Sequence, residues 1–324
     1  MNSIIVCHRQ PALLNQFKKN ITATIGSEYE FIVINNTAND YNIFQAYNLG
    51  VKQSKGDILC FAHEDILFHT QDWGQKLDAH FKSTPDIGLI GTIGGTALPA
   101  CPAPWWNKHP FNQHFLNIIQ HWRKGDNIHR WEENIPLNKE QTIVHHKSNP
   151  YRSQYSEVAA VDGLFFAIPR HLFDSIKFDE DTFSGFHGYD IDTCLQVQNV
   201  GYKVAVVHDI LIEHLSKGNP NEQWSNESIV LARKWKSSLP IVVKSKHEIS
   251  QKDKDIYTIN LLLTFCYWSM KNISDKKIRE VIKEFIPQNK NFLSQKHYFL
   301  WLWSFLGYNI SRILFKLTKS LIHE

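Results

Sequence analysis

Short, uninterrupted apolar runs alternate with stretches of helical period along the first part of the chain. Ile4 to Cys7, Phe31 to Ile34, Ile58 to Ala62, Ile87 to Ile90 and Val204 to Val207 show no polar alternation. That is the pattern of strands covered on both faces, as in a parallel sheet. Between them apolar residues recur at three- and four-residue spacing: Leu13, Leu14, Phe17 and Ile21 within 12–25, a second helix over 41–51, then Trp73 and Leu77 within 72–81. Consecutive strand–helix units predict an α/β fold with a mostly parallel central sheet, flanked by helices and joined by right-handed crossovers. Val158 to Ile168 reads as one further strand interrupted at Asp162-Gly163, where glycine marks a bulge or a close ligand. A short helix follows from Pro169 to Ser175, and a longer one from Asp190 to the stop at Gly201.

Two regions depart from this alternation. From Pro99 to Trp131 proline, tryptophan and histidine obscure both periods, which predicts a long binding loop. His145-His146, without metal-ligand spacing, reads as surface. Beyond Pro240 the composition shifts to a basic linker over Lys244–Lys254 and then to helical patterns: Tyr257 to Met270, Ser274 to Phe285, and an aromatic stretch from Phe292 to Ile322. The expected organisation is a first domain over 1–240, with halves about 1–98 and 99–240, and an α-helical C-terminal region over 241–324. Trp301, Trp303 and Phe305 ahead of Arg312, Lys316 and Lys319 fit membrane-surface contact, or packing against the domain or a second subunit through 245–324.

Composition narrows the classes. A net charge of +3, with no basic patch outside the C-terminal third, argues against nucleic acid as a partner. Five scattered cysteines without Cys-x-x-Cys spacing indicate neither a disulfide framework nor a structural zinc site, which fits a reducing compartment. Without a signal-peptide pattern or a run long enough to span a membrane, the expected location is the cytoplasm, with peripheral attachment at the inner face of the membrane as an option for the tail. No Gly-x-Gly-x-x-Gly follows the first strand and no Walker-type Gly-Lys-Ser/Thr occurs, so a dehydrogenase or P-loop NTPase is disfavoured.

The candidate chemistry lies where strands end. Ile58 to Ala62 finishes on His63-Glu64-Asp65, and strand alternation puts His63 and Asp65 on one face with Glu64 on the other. In open α/β sheets ligands bind at the carboxyl ends of strands. The run Gly56-Asp57-Ile58 through Asp65 resembles the strand that supplies cation-binding carboxylates in family 2-like glycosyltransferases of the GT-A (nucleotide-diphosphosugar transferase) fold. There the pattern is roughly Gly-Asp/Glu-x-Ile-x-Phe-x-Asp-x-Asp, and only Asp65 keeps the final Asp. The later run Phe186-His187-Gly188-Tyr189-Asp190-Ile191-Asp192-Thr193-Cys194 is similar to the family's Glu-Asp-x-Asp-x-Cys-x-x-Arg motif, with Tyr189 in place of Glu. His214-Leu215-Ser216-Lys217-Gly218 matches a turn in which a histidine is a further cation ligand. The resemblance covers about residues 1–240.

Carried over residue by residue, the resemblance implies a divalent cation on Asp65, His63 and His214, with Mn²⁺ preferred over Mg²⁺ because imidazole suits transition metals. It implies a donor pocket of His8, Arg9, Asn35, Asn36, Asp162 and Gly163, although Asn35-Asn36 also reads as a plain turn and His8 and Arg9 as a helix cap. Tyr189 and Asp192 fall on the acceptor side, Asp192 capping the helix or orienting the acceptor. Trp105 and Trp106 are either stacking platforms for an acceptor sugar or anchors of their loop. Asp190 becomes the base, kept ionised by the helix N-terminus. The implied reaction is metal-dependent transfer, of inverting outcome, from a nucleotide diphosphosugar, first of all a UDP-sugar, to a glycan or lipid-linked hydroxyl acceptor in surface polysaccharide or glycolipid synthesis. Two rivals stand beside it. A nucleotidyltransferase would open with a Gly-rich basic loop in place of Cys7-His8-Arg9-Gln10-Pro11, and the altered His63-Glu64-Asp65 motif suits a catalytically idle scaffold that binds glycan or nucleotide sugar.

Overall fold

In a computed structural model, which describes residues 1–122, 142–216, 218, 220–243, 249–288 and 293–318, the apolar runs lie side by side in a seven-stranded sheet. Its order is Tyr155–Val158, Lys203–Val207, Ile87–Gly91, Phe165–Pro169, Ile58–Ala62, Asn2–His8, Tyr29–Asn35. Five strands share one direction; Phe165–Pro169 and Tyr155–Val158 run against their neighbours. The expected α/β architecture, a mostly parallel central sheet with flanking helices and a helical C-terminal region, is the one the chain adopts.

The central strand is apolar throughout because both its faces are covered: Leu59, Cys60 and Phe61 are fully buried. Phe61 stacks on Phe166 with ring centroids 5.2 Å apart and meets Tyr47 and Phe178 at 5.0 and 4.9 Å. Tyr47 continues this layer to Tyr189 at 5.5 Å. The helix Ile43–Gln53, which carries Tyr47, starts with a reciprocal cap: the Asn42 side chain accepts from the Gln45 N–H, and the Gln45 side chain accepts from the Asn42 N–H.

A second sheet orders Ala160–Val161, Ile93–Gly95, His114–His121, Ile212–His214 and Ile66–Phe68, with Ile143–Ser148 paired to His114–His121. Part of the expected long loop is therefore a strand, His114–His121, whose Phe115, Leu116 and Ile118 are buried. Flanking prolines and tryptophans hid its period. His129 and Trp131 of that stretch lie outside the described residues. The pairing also corrects the surface assignment of His145-His146: alternation leaves His145 exposed and buries His146. The single strand expected over 158–168 is three pieces, because Ala160–Val161 joins the second sheet while its flanks belong to the first.

The chain divides into two compact units, Met1–Thr96 with Gln113–Asn219, and Ala97–Asn112 with Pro220–Glu324. Both sheets described above belong to the first. The second contains the helices Glu222–Lys234, Gln251–Ser269, Asp275–Phe285, Gln295–Leu306 and Tyr308–Thr318. Its core includes Tyr257, Phe265, Val281 and Trp303. Asn221, Ser250, Ser274 and Ser294 cap four of these helices by accepting a backbone N–H. Within the expected aromatic stretch, Gln295–Leu306 and Tyr308–Thr318 are two helices broken at Gly307, whose φ of +77° a side chain would resist. Of the expected linker, 244–248 lies outside the described residues and the chain is helical from Gln251. Among the described residues no helix is long and apolar enough to cross a membrane.

If the aromatic layer under the central strand carries the first unit, Phe61→Ala lowers unfolding free energy by about 3–5 kcal/mol. Phe61→Leu, which keeps most of the volume, loses less. Urea denaturation of both variants measures this; an unchanged midpoint for Phe61→Ala contradicts the role given to that layer.

Candidate active site

Polar residues gather where the strand Ile58–Ala62 leaves its sheet. The His63 N–H donates to the Leu164 carbonyl and the Leu215 N–H to the Asp65 carbonyl, each at 2.9 Å, so three separate segments are tied together at this point. His63 Nδ1 stands 3.9 Å from Asp65 Oδ1, and His214 Nε2 3.6 Å from Asp65 Oδ2. One ligand atom from each of the three residues falls within 4.8 Å of the others. Their side chains retain 21, 16 and 11 % exposure for His63, Asp65 and His214, a shielded group still reachable from solvent. Glu64 faces elsewhere and accepts the backbone N–H groups of Arg9 and Gln10 ahead of the first helix.

Electrostatics keep this set in ligand form. Burial tends to raise the Asp65 carboxyl, but the adjacent His214 imidazole, and then the charge of His63, more than offset it and hold the group well below the usual carboxylate range. Burial pushes the His63 imidazole down, against the charge of Asp65, with His214 adding to the depression and Asp162 opposing it. An ionised carboxylate beside a neutral imidazole is the donor set a divalent cation requires.

Each histidine is also held from behind. His63 Nε2 lies 2.7 Å from the Tyr189 hydroxyl, which donates to the Gly163 carbonyl at 2.9 Å. A Cβ on Gly163 would stand 2.2 Å from that hydroxyl, so the approach requires glycine. His214 Nδ1 is 3.1 Å from Gln120 Oε1, across the parallel register that sets His214 opposite Gln120. Gln120 carries no motif and lies in the stretch that reads as loop, so only strand pairing reveals it. Tyr189 is buried with its hydroxyl between His63 and the Gly163 carbonyl.

The helix Tyr189–Asn199 starts after Gly188, at φ +82°, with no side-chain cap. Asp190 Oδ2 accepts the Gly163 N–H at 3.1 Å and Oδ1 the Ile191 N–H at 2.9 Å. These donors favour the ionised form, yet burial and then the nearby Asp162 charge outweigh them and push the Asp190 carboxyl up to about 7. The expected lowering by the helix N-terminus is thus reversed. Asp192, expected to cap the helix or orient the acceptor, is fully buried and accepts from Gln196 Nε2 at 2.7 Å, while the cap position falls on Gly188. Asp162 accepts the Leu164 N–H at 3.0 Å, beside Gly163.

The remaining candidates divide. Arg9 is exposed, its guanidinium 5.9 Å from the Phe186 ring, which in turn lies 5.6 Å from His63. His8 is buried. Asn36, also buried, gives both ends of its amide to the backbone of Tyr41, and Asn35 accepts from Thr37, so this pair builds the turn. Trp105 and Trp106 belong to the second unit, where Trp105 is buried and Trp106 lies near Trp224 and Trp268, an anchoring arrangement. Asp65, His63, His214, Asp162, Gly163, Tyr189 and Asp190 thus come together in the first unit, joined by Gln120 and Phe186.

The streptomycin biosynthesis protein StrF of Streptomyces griseus is 22% identical over 198 residues, 59% of this chain and 60% of that protein, so the chain spans about 60% of that relative's length. Among solved structures, GalNAc-T7 with UDP, GalNAc and Mn²⁺ has a TM-score of 0.46 at 11% identity, covering 89% of this chain and 59% of that one. A197 from STIV has a TM-score of 0.36 at 14% identity, covering 67% and 86%. These are loose likenesses. The model of the glycosyltransferase like family, by contrast, matches residues 3–237, most of the chain and all of the site residues described here, and the chain belongs to that family.

Proposed function

We propose that the protein is a metal-dependent glycosyltransferase that moves a sugar from a nucleotide diphosphosugar to a hydroxyl acceptor. The observation that carries this reading is the convergence of Asp65, His63 and His214 at the carboxyl end of the central strand, in one unit with an Asp190 carboxyl at about 7. Membership of the glycosyltransferase like family supports the reaction class. Asp65, His63 and His214 would hold a divalent cation, whose positive charge would stabilise the departing diphosphate. The mixed imidazole and carboxylate donors favour Mn²⁺ over Mg²⁺.

Within this reading Asp190 takes the proton of the acceptor hydroxyl as it attacks the anomeric carbon, which gives inversion in a single displacement. Asp162 and the Gly163 backbone line the donor side, and Arg9 offers positive charge near Phe186 for the diphosphate. A UDP-sugar is the first donor to test and a glycan or lipid-linked hydroxyl the acceptor, in surface polysaccharide or glycolipid synthesis. The compartment consistent with these substrates is the cytoplasm, at the inner face of the membrane.

Calorimetric titration with a panel of nucleotide diphosphates, with and without Mn²⁺, tests the donor and the metal together. One nucleotide is expected to bind more tightly with Mn²⁺, and Asp65→Ala to abolish that enhancement. Absence of binding under both conditions removes the proposal. The pH profile tests Asp190. A base must be ionised, so kcat/KM rises with pH and levels off above about 7, the range to which burial and Asp162 push this carboxyl. Asp190→Asn is expected to lower turnover by roughly 10²–10⁴-fold and to erase the acidic limb. Persistence of that limb in the variant assigns the base to another group.

A further inference from the structure

We propose that Gln120 and Tyr189 are positioning residues that fix His214 and His63 in opposite tautomers, so that each imidazole turns its lone pair toward Asp65. The inference rests on the metal reading above and adds the two residues that make it work without touching the ion.

Proton counting around each ring leads there. The Gly163 carbonyl can only accept, so the single phenolic proton of Tyr189 goes to it, at 2.9 Å. The contact of 2.7 Å between the Tyr189 oxygen and His63 Nε2 then has one remaining form: the imidazole donates, and Nε2 carries the proton. Nδ1 is left with its lone pair, and Nδ1 is the atom 3.9 Å from Asp65.

At His214 the assignment is the mirror image. The Gln120 amide nitrogen donates to two carbonyls, Ser216 at 2.5 Å and His121 at 2.8 Å, which accounts for both its hydrogens and fixes the amide orientation. Oε1 therefore faces His214 Nδ1 at 3.1 Å as an acceptor, and Nδ1 carries the proton. Nε2 keeps its lone pair 3.6 Å from the other Asp65 oxygen. One histidine presents Nδ1 and the other Nε2, each to a different oxygen of one carboxylate. Such outer partners fix ring orientation and tautomer, and losing one typically costs ~10–100-fold in metal affinity.

Two measurements on the full-length chain test this. The first is a long-range proton–nitrogen NMR correlation on the metal-free, ¹⁵N-histidine-labelled protein above pH 7.5, with both residues assigned by substitution. His214 is expected protonated at Nδ1 and His63 at Nε2; the reverse tautomer at either ring overturns the assignment for that ring. The second is Mn²⁺ titration followed by electron paramagnetic resonance. Gln120→Leu and Tyr189→Phe should each weaken binding by ~10–100-fold. Mn²⁺ bound equally by wild type and all variants overturns the positioning alone, whereas a wild type that binds no Mn²⁺ overturns the metal reading itself.

Discussion

The site depends on the chain changing sheets twice at one place. It leaves the first sheet after Ile58–Ala62, passes through His63-Glu64-Asp65 and enters the second at Ile66–Phe68. It returns from Ala160–Val161 in the second sheet, through Asp162-Gly163-Leu164, to Phe165–Pro169 in the first. The hydrogen bond from the His63 N–H to the Leu164 carbonyl ties the two passages. A strand buried on both faces has no room for unpaired polar groups, and a sheet change interrupts the ladder without exposing the apolar strands beside it. His63, Asp65, Asp162 and Gly163 all sit in such interruptions, on top of the aromatic layer of Phe61, Phe166, Tyr47 and Tyr189.

That arrangement also sets the carboxylates apart. Asp65 has His214 and His63 on either side and is held ionised, despite burial that works the other way. Asp190 has backbone donors, but burial and the neighbouring Asp162 charge outweigh them, and it rises to about 7. Two carboxyls from different elements of one unit thereby acquire different chemistry, one suited to holding positive charge and one to exchanging a proton near neutrality. A helix N-terminus alone predicts the opposite shift for Asp190, because its dipole is a smaller effect here than desolvation next to a like charge.

Much of this was legible in residue order and some of it was not, for identifiable reasons. Runs such as Ile58 to Ala62 and Val204 to Val207 announce buried strands, since nothing polar survives on either face. The position of His63, Asp65 and His214 relative to those strands follows from alternation and from the resemblance of their motifs. Burial of individual polar residues is harder to read. Asp192 and Asp190 are two residues apart on one helix, yet the first is sealed against Gln196 and the second faces Gly163. Asn36 has the right place for a base-reading residue, but its amide is consumed by Tyr41, five residues on. Trp105 and Trp106 read equally as stacking surfaces or as anchors, and in the fold Trp105 is buried while Trp106 lies near Trp224 and Trp268. These residues share one difficulty: a polar or aromatic side chain has several ways to be satisfied, and only the fold selects among them.

Gln120 shows the limit from the other side. Its role requires four separate facts: that 114–121 is a strand, that it pairs parallel with Ile212–His214, that the register sets Gln120 against His214, and that two carbonyls claim its amide hydrogens. None is a property of a local sequence pattern, because parallel partners are distant in the chain and register has no short-range signature in an irregular stretch. The consequence concerns which substitutions a site of this kind tolerates. His63 and Asp65 come from the passage between sheets and His214 from a strand of the second, while the groups that orient the two histidines come from a helix start and from a neighbouring strand. Changes far from the His63-Glu64-Asp65 motif, at the Gly163 turn or along His114–His121, therefore reach the donor set as directly as changes within it.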